Sequence, residues 1–298
     1  MAIDTAFQNG YQNSFEVKFQ QMGSRLRPYI TERPQNVERD FYDRIGTVNV
    51  TLKTVRHAPT VLIDGDHTRI AVMIDDYRPD AIAFDNEDML RMKLNDPRNG
   101  YAENQAMALG RQLDSVIIAA ATGTTYTGKT GTTAETYTAA TYGVAVTAAA
   151  PGQPNVNSNL TIEKLIQAKS KFGINESVMD NESLVLVHTQ SQLDSLLRTT
   201  EVTSADYNTI RALVSGGLDT FMGFKFVRTE LLTKSGNVRT CLAFPKSAII
   251  VGMADAKTVR IDPRPDLNYT WQVWTQGTFG AARTWLEKVV SIACDEAA

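Results

Sequence analysis

DPRNGYAENQAMALGRQLDSVIIAAATG, residues 96 to 123, decides how the rest of the chain is read. Asp96 suits a helix N-cap, Pro97 the first helical position and Gly123 a stop, so start and stop signals bracket one long helix. Ala102, Ala106, Leu109, Leu113, Val116 or Ile117, and Ala120 recur at the spacing of a single helical face. Asn104, Arg111, Asp114 and Ser115 fall off that face. At 1.5 Å per residue the helix spans roughly 35 to 40 Å, enough to cross a small domain as a spine.

The chain has 298 residues, 43% of them hydrophobic, which sustains about two domains with real cores. A formal net charge of -3 is too small to draw the whole molecule to nucleic acid or to an anionic membrane. No apolar run reaches the roughly 18 residues of a membrane span. MAIDTAFQNGYQNS has neither the basic start nor the apolar centre of a secretion signal, so a protein that is neither secreted nor membrane-spanning is expected. Cys241 and Cys294 both sit in apolar, strand-like runs and read as buried free thiols of a reducing cytosol rather than as a disulfide.

Upstream of the spine, residues 1–45 are polar and glutamine-rich. Phe15, Phe19, Met22 and Leu26 predict a short amphipathic helix there, ahead of RPYITERPQN. Such a thin segment cannot bury its own stripe and is expected to be an arm that packs on something else. From Gly46 the period becomes two. Val48, Val50 and Leu52 alternate with polar residues, Ile70, Val72 and Ile74 do so again, and Pro59 and Asp64-Gly65 mark turns between them. A long antiparallel hairpin over 46–80 follows, and one this long needs a surface to lie on. Asp85 to Asp88 opens a short helix carrying Met89, Leu90, Met92 and Leu94.

Downstream, the Thr-, Ala- and Gly-rich stretch 124–150 reads as an exposed hairpin insertion. Ile162, Leu165, Ile166 and Phe172 predict a helix ending at Gly173, Leu184 to Val187 a buried strand, and Leu193, Leu196 and Leu197 a short helix. A polar loop over 199–217 and strands in GFKFVRT, RTCLAFP and AIIVGM complete an α+β domain. From Thr258 the chain is strand-rich: Val259 and Ile261 alternate, Trp271 and Val273 alternate, QGTFG reads as a turn, and Trp285 to Cys294 as the last long strand. The three tryptophans require a large partner surface, which the spine supplies. The middle domain is then an insertion between the spine and its sheet.

Gly123-Thr124-Thr125-Tyr126-Thr127-Gly128-Lys129-Thr130 fits the phosphate-loop pattern G-x-x-x-x-G-K-T, with Gly123, Gly128, Lys129 and Thr130 as its would-be nucleotide contacts. GTTAETYTAATYG, however, has Thr and Gly where the phosphate-binding helix must begin, and only Asp255, at the end of IIVGMAD, offers itself for magnesium. The match is read as a decoy. Asp64, Asp66 and His67 sketch a metal site but fit solvated turn residues better, and His57 and His188 stand alone. No nucleophile elbow, paired-cysteine motif or basic aromatic stripe is present, so no catalytic residue, cofactor or metal is expected.

The order of these parts resembles the major capsid proteins of tailed bacteriophages with the Hong Kong 97-type fold. In wording, the arm and the middle domain are most similar to those of short-tailed phages. FEVKFQQMGSRLRPYI corresponds to the arm, the hairpin from Gly46 to Arg78 to the extended loop, Asp96 to Thr122 to the spine, and Leu160 to Asp255 to the axial domain. The resemblance implies an α+β chain divided into an N-terminal arm (1–45), an E-loop hairpin (46–80) and a peripheral domain with the spine (81–122). An axial domain (123–257) with the insertion 124–150, and returning peripheral strands (258–298), complete it.

It further implies a coat protein that self-assembles as pentamers and hexamers into an icosahedral head enclosing double-stranded DNA without sequence-specific contact. Scaffolding and portal proteins, a cement protein, a virion location and assembly in the host cytoplasm belong to the same expectation. Phe15, Phe19, Met22, Val48, Val50, Leu52, Val61 and Ile63 would form the assembly interface. Encapsulin-like compartments share the fold and are the alternative, with an NTPase from residues 123–130 as a more distant one. Some members cross-link through an E-loop lysine. Lys53 is the only lysine between Gly46 and Arg78 and lies on the rising strand, not the tip, so no cross-link is expected.

Overall fold

A computed structural model describes residues 20–48, 50, 52, 54–56, 65, 67–85, 98–149, 153–176, 182–198, 220–254 and 258–297. The expected features at Phe15, Phe19, Lys53, His57, Pro59, Val61, Ile63, Asp64 and Asp66, the helix after Asp85, Asp96, Pro97, the loop 199–217 and Asp255 lie outside these residues. The strands are β1 (Thr31–Pro34), β2 (Arg39–Ile45), β3 (His67–Met73), β4 (Asp75–Tyr77), β5 (Ile82–Phe84), β6 (Thr125–Thr127), β7 (Thr133–Glu135) and β8 (Leu184–His188). β9 (Thr220–Phe221), β10 (Phe224–Arg228), β11 (Lys234–Ser235), β12 (Val238–Pro245), β13 (Ile249–Met253), β14 (Thr258–Arg264), β15 (Thr270–Arg283) and β16 (Val290–Asp295) follow. The helices are α1 (Arg98–Thr122), α2 (Ala139–Tyr142), α3 (Ile162–Ile174) and α4 (Gln190–Leu197).

The chain divides into two compact units, one of residues 1–24, 76–112 and 256–278, the other of 25–75, 113–255 and 279–298. In the first unit β14 pairs antiparallel with β15, placing Ile261 opposite Val273, and β5 pairs with β15 on its other edge. Here α1 buries Gln105, Met107 and Leu109. The Gln105 amide donates to the Val273 carbonyl at 3.2 Å and accepts from the Thr275 hydroxyl at 2.7 Å, so a satisfied buried amide joins helix to sheet. Val273 and Thr275 are buried, whereas Trp271 and Trp274 are half-buried. The contact with α1 is thus made by Val273 and Thr275: Trp274 alternates with them and faces away, and Trp271, on their face, is only half-buried.

Three sheets build the second unit. β2, β3, β6 and β7 form one in that order, β11, β12, β8, β10 and β9 with β16 beside β12 form another, and β1, β13 and the end of β15 a third. Every residue of β8 is buried, as its continuous apolar run predicts, and α4 starts with a capping box between Thr189 and Gln192. On α3 the buried face is Lys164, Leu165, Ala168 and Phe172, while Ile166 is exposed and Gly173 lies inside the helix, which Asn175 caps. On α1 the buried stripe in this unit is Leu113, Asp114, Ile117, Ile118 and Ala121. Counting back in steps of four reaches Leu109 and Gln105, so Ala106 faces solvent, and the expected stripe is turned by about one residue.

Several expected elements are corrected. The first strand of the hairpin is β2, residues 39 to 45, inside the segment read as arm, and Thr47, Val48, Val50 and Leu52 carry no strand structure. Alternation assigns side chains to faces, but a strand also needs a ladder partner, and among the described residues none pairs with these. Residues 20 to 26 are not helical: Gly23 takes a φ of +123°, Met22 is exposed and Leu26 is buried. QGTFG is not a turn, since β15 runs straight through it. A Cβ at Gly280 would stand 1.8 Å from the Met73 carbonyl oxygen, so this glycine serves close backbone approach. The last strand starts at Val290, after a 3-10 turn at Leu286–Lys288, and β16 pairs with β12 in the sheet of the middle segment instead of standing with β14 and β15. The Thr-rich insertion is not mere exposed decoration: β6 pairs with β3, Tyr137 and Val144 are buried, and Val144 bridges Ile292.

Arg283, fully buried at the end of β15, donates through Nη1 to the carbonyls of Ala121 at 2.8 Å and Gly123 at 3.0 Å, and through Nη2 to that of Glu135 at 3.4 Å. Its guanidinium also lies 5.3 Å from the Tyr137 ring centroid, and the Tyr137 hydroxyl donates to the Val289 carbonyl and accepts the Ser291 N–H. A cation thus satisfies the carbonyls that the end of α1 leaves open. Arg283→Met should lower stability by about 3 kcal/mol, read as a drop in the urea midpoint, because those buried carbonyls lose their donors.

At the C-terminus Glu296 accepts from Arg239 Nε at 2.8 Å and Lys234 Nζ at 2.5 Å. These bonds hold its carboxyl down from 4.5 to about 2. A carboxylate depressed in the folded state stabilises fully above its unfolded value, and that contribution fades as pH falls from 4.5 toward about 2. Wild type should therefore exceed Glu296→Gln in thermal midpoint near neutrality, with the gap closing across that window.

Candidate assembly surfaces

The G-x-x-x-x-G-K-T stretch folds as a hairpin. Thr125–Thr127 and Thr133–Glu135 are its strands, Gly128 and Gly131 take left-handed conformations in the turn, and Lys129 and Thr130 are exposed there. No helix begins directly after Thr130: residues 131 to 138 carry turn and strand structure only. Gly123 stops α1: its N–H still bonds the Ala119 carbonyl at 2.8 Å, and a Cβ there would stand 2.6 Å from that same oxygen.

His188 is buried beside Phe226 with Nδ1 2.8 Å from the Thr189 carbonyl, and burial pulls its pKa down, which describes a satisfied core histidine. Among the described residues no group of three His, Cys, Asp or Glu side chains could hold a metal, and no helix is long and apolar enough to cross a membrane. A shallow groove of about 400 Å³ on β14 and β15 is lined by Arg260, Asp262, Arg264, Gln272 and Trp274. It offers charge to a neighbour but no activated group, since Arg264 is taken up by Asp266.

What stands out is exposed apolar surface in the chain that follows β2. Val48 is 73% exposed, Val50 100% and Leu52 88%, and Ile45 and Val55 are exposed beside them. The β2–β3 ladder ends at the pair Ile45 and His67, so these residues leave the sheet at its open end. Isolated apolar side chains on a surface are ordinary, but an alternating exposed row with no ladder partner among the described residues has the chemistry of an interface strand. Of the other residues expected at an interface, Met22 is 81% exposed, while Phe15, Phe19, Val61 and Ile63 are outside the described residues.

Residues 20 to 26 are anchored on α1. In the first unit a Cβ at Gly110 would stand 2.6 Å from Gly23 Cα, so the two backbones touch, and Gln20 bonds both Asn104 and Arg111. In the second unit the buried Asp114 carboxylate accepts the backbone N–H groups of Arg25 at 3.0 Å and Leu26 at 3.1 Å. Sequence reading missed Gln105, Asp114, Lys164 and Arg283. One signal was available: Gln105 stands in phase with Leu109, Leu113, Ile117 and Ala121, and a polar residue in phase with an apolar stripe is buried with a partner.

Comparison with known proteins agrees with this architecture. The family profile described as phage capsid protein matches residues 3–296. The solved capsid of cyanophage Pam1 is similar at a TM-score of 0.75 and 14% identity, covering 100% of this chain and 98% of that one. That of Ralstonia phage GP4 gives 0.71 and 11%, covering 97% and 95%, and a chain of Mycobacterium phage Che8 gives 0.70 and 14%, covering 98% of each. No curated protein matches the sequence.

Proposed function

The chain belongs to the phage capsid protein family and has the Hong Kong 97-type fold, and from that premise we propose how it builds its shell. It is a major capsid protein, a structural component of the virion and not an enzyme. In our reading it assembles as pentamers and hexamers that close an icosahedral head around double-stranded DNA. Residues 46–80 act as the E-loop and residues 1–45 as an arm, both laid on neighbouring subunits. Residues 81–122 and 258–298 act as the peripheral domain, and 123–257 as the axial domain. A scaffolding protein, a portal and a cement protein complete the head, which forms in the host cytoplasm.

The observation that carries this reading is the solvent-facing row of Val48, Val50 and Leu52. Burying each such side chain is worth about 1.5 to 3 kcal/mol, and closed symmetry repeats the gain at every subunit. The net charge of -3 suits a wall that contains DNA without gripping it.

Placing Asp at positions 48, 50 and 52 together should leave the circular dichroism and thermal midpoint of the subunit unchanged, because these side chains are already in water. It should abolish the shells seen by electron microscopy and leave slowly sedimenting subunits. Normal shells from that triple variant would refute the E-loop role, and a wild type that stays a monomer at every concentration would refute assembly.

A further inference from the structure

Cys241 and Cys294 are the only cysteines of the chain, and folding brings them side by side. Both are fully buried. In the β12–β16 ladder Cys241 stands opposite Ile292 and Cys294 opposite Arg239. Directly opposed residues share a face, and so do residues two apart on one strand, so both thiols project from one face as diagonal neighbours. The Cys294 thiol donates to the carbonyl of Ile292, the residue opposite Cys241, at 3.8 Å. Lys164 of α3, also fully buried, donates to the carbonyls of Ser158 at 2.6 Å and Ala293 at 2.8 Å, and its charge acts on both sulfurs. That contact pins the residue next to Cys294 and sets a cation beside the thiol pair.

We propose that Cys241 and Cys294 form an oxidation site at which hydrogen peroxide closes a disulfide between β12 and β16. Full burial keeps out bulky oxidants, whereas peroxide is about the size of the waters that proteins hold inside. One sulfur attacks a peroxide oxygen, the O–O bond breaks, and a sulfenic acid forms, with the thiol proton leaving in a first water. The second sulfur then attacks the sulfenic sulfur. The S–S bond forms, the S–O bond breaks, and the hydroxyl leaves with the second thiol proton as another water. Two thiols lose two electrons together and one peroxide gains them. The neighbouring thiol intercepts the sulfenic acid before it can be oxidised further.

Diagonal partners in a ladder have Cα atoms about 7 to 8 Å apart, and a disulfide needs them below about 7 Å, so β16 must draw slightly toward β12. The closure is on the order of 1 Å, taken up against the backbone bonds of Ala293 to Val144 and of Asp295 to Ser158. Burial and the second thiol hold the Cys241 pKa up, so the site resists casual oxidation, while Lys164 and Arg239 lower the cost of the attacking thiolate.

Full-length protein treated with peroxide, then denatured and labelled with a maleimide, tests this by mass spectrometry. Untreated protein should take up two maleimides. Treated protein should take up none, weigh two hydrogens less at the cysteine peptides, yield those peptides joined, and recover both thiols on reduction. Its thermal midpoint should rise by about 5 °C, a rise absent from Cys241→Ala or Cys294→Ala. Should either variant fail to fold, the joined peptides of wild type decide. Exposed Met22 serves as the internal dose marker. Both thiols still free once Met22 is a sulfoxide, or sulfinic acid at one cysteine in place of the joined peptides, would overturn the proposal.

Discussion

The guanidinium of Arg283 on the last carbonyls of α1 is the interaction on which the second unit depends. A long helix must end somewhere, and this one ends inside protein, where its open carbonyls cannot turn to water. One buried cation supplies donors to Ala121, Gly123 and Glu135 and rests on Tyr137, whose hydroxyl reaches β16 through Ser291. The end of the helix, the Thr-rich segment and the C-terminal strand are therefore fixed by one side chain. Burial draws the Arg283 pKa down and the Glu135 carboxylate draws it up, yet an arginine stays charged throughout the physiological range.

Backbone proximity supplies a second constraint. Gly110 lets the arm cross directly on the helix, and Gly280 lets β15 pass against the Met73 carbonyl. Each is a place where a side chain would push two backbones apart. Asp114 then converts the first crossing into a fixed exit by taking up two backbone N–H groups of the arm.

Much of this was legible in the sequence because periodicity reports burial. The spine, β8, α4, β10 and β12 follow directly from it, and Gly123 stops its helix as expected. The errors share a cause, which is that partner geometry is not local. Val48, Val50 and Leu52 alternate as a strand would, but the ladder belongs to residues 39 to 45. QGTFG has the composition of a turn, but its second glycine marks a crossing. The helix face was read one residue off because Gln105 and Asp114 were counted as polar and hence outward, when each is inward and bonded. Of the candidate interface that the family resemblance implies, Met22, Val48, Val50 and Leu52 stand exposed, whereas the buried polar residues that hold the surrounding fold carry weaker sequence signals.

The protein thus combines a folded body with apolar, extended chain that has no partner within the described residues. For a coat protein we propose that these exposed apolar side chains of one subunit become contacts of the next. Backbone amide hydrogen exchange at Val48, Val50 and Leu52, compared between free subunits and assembled shells, tests this account most directly. The account predicts near-complete exchange in the free subunit and strong protection in the shell, with β8 protected in both. Equal protection at those three amides in the two states would contradict it.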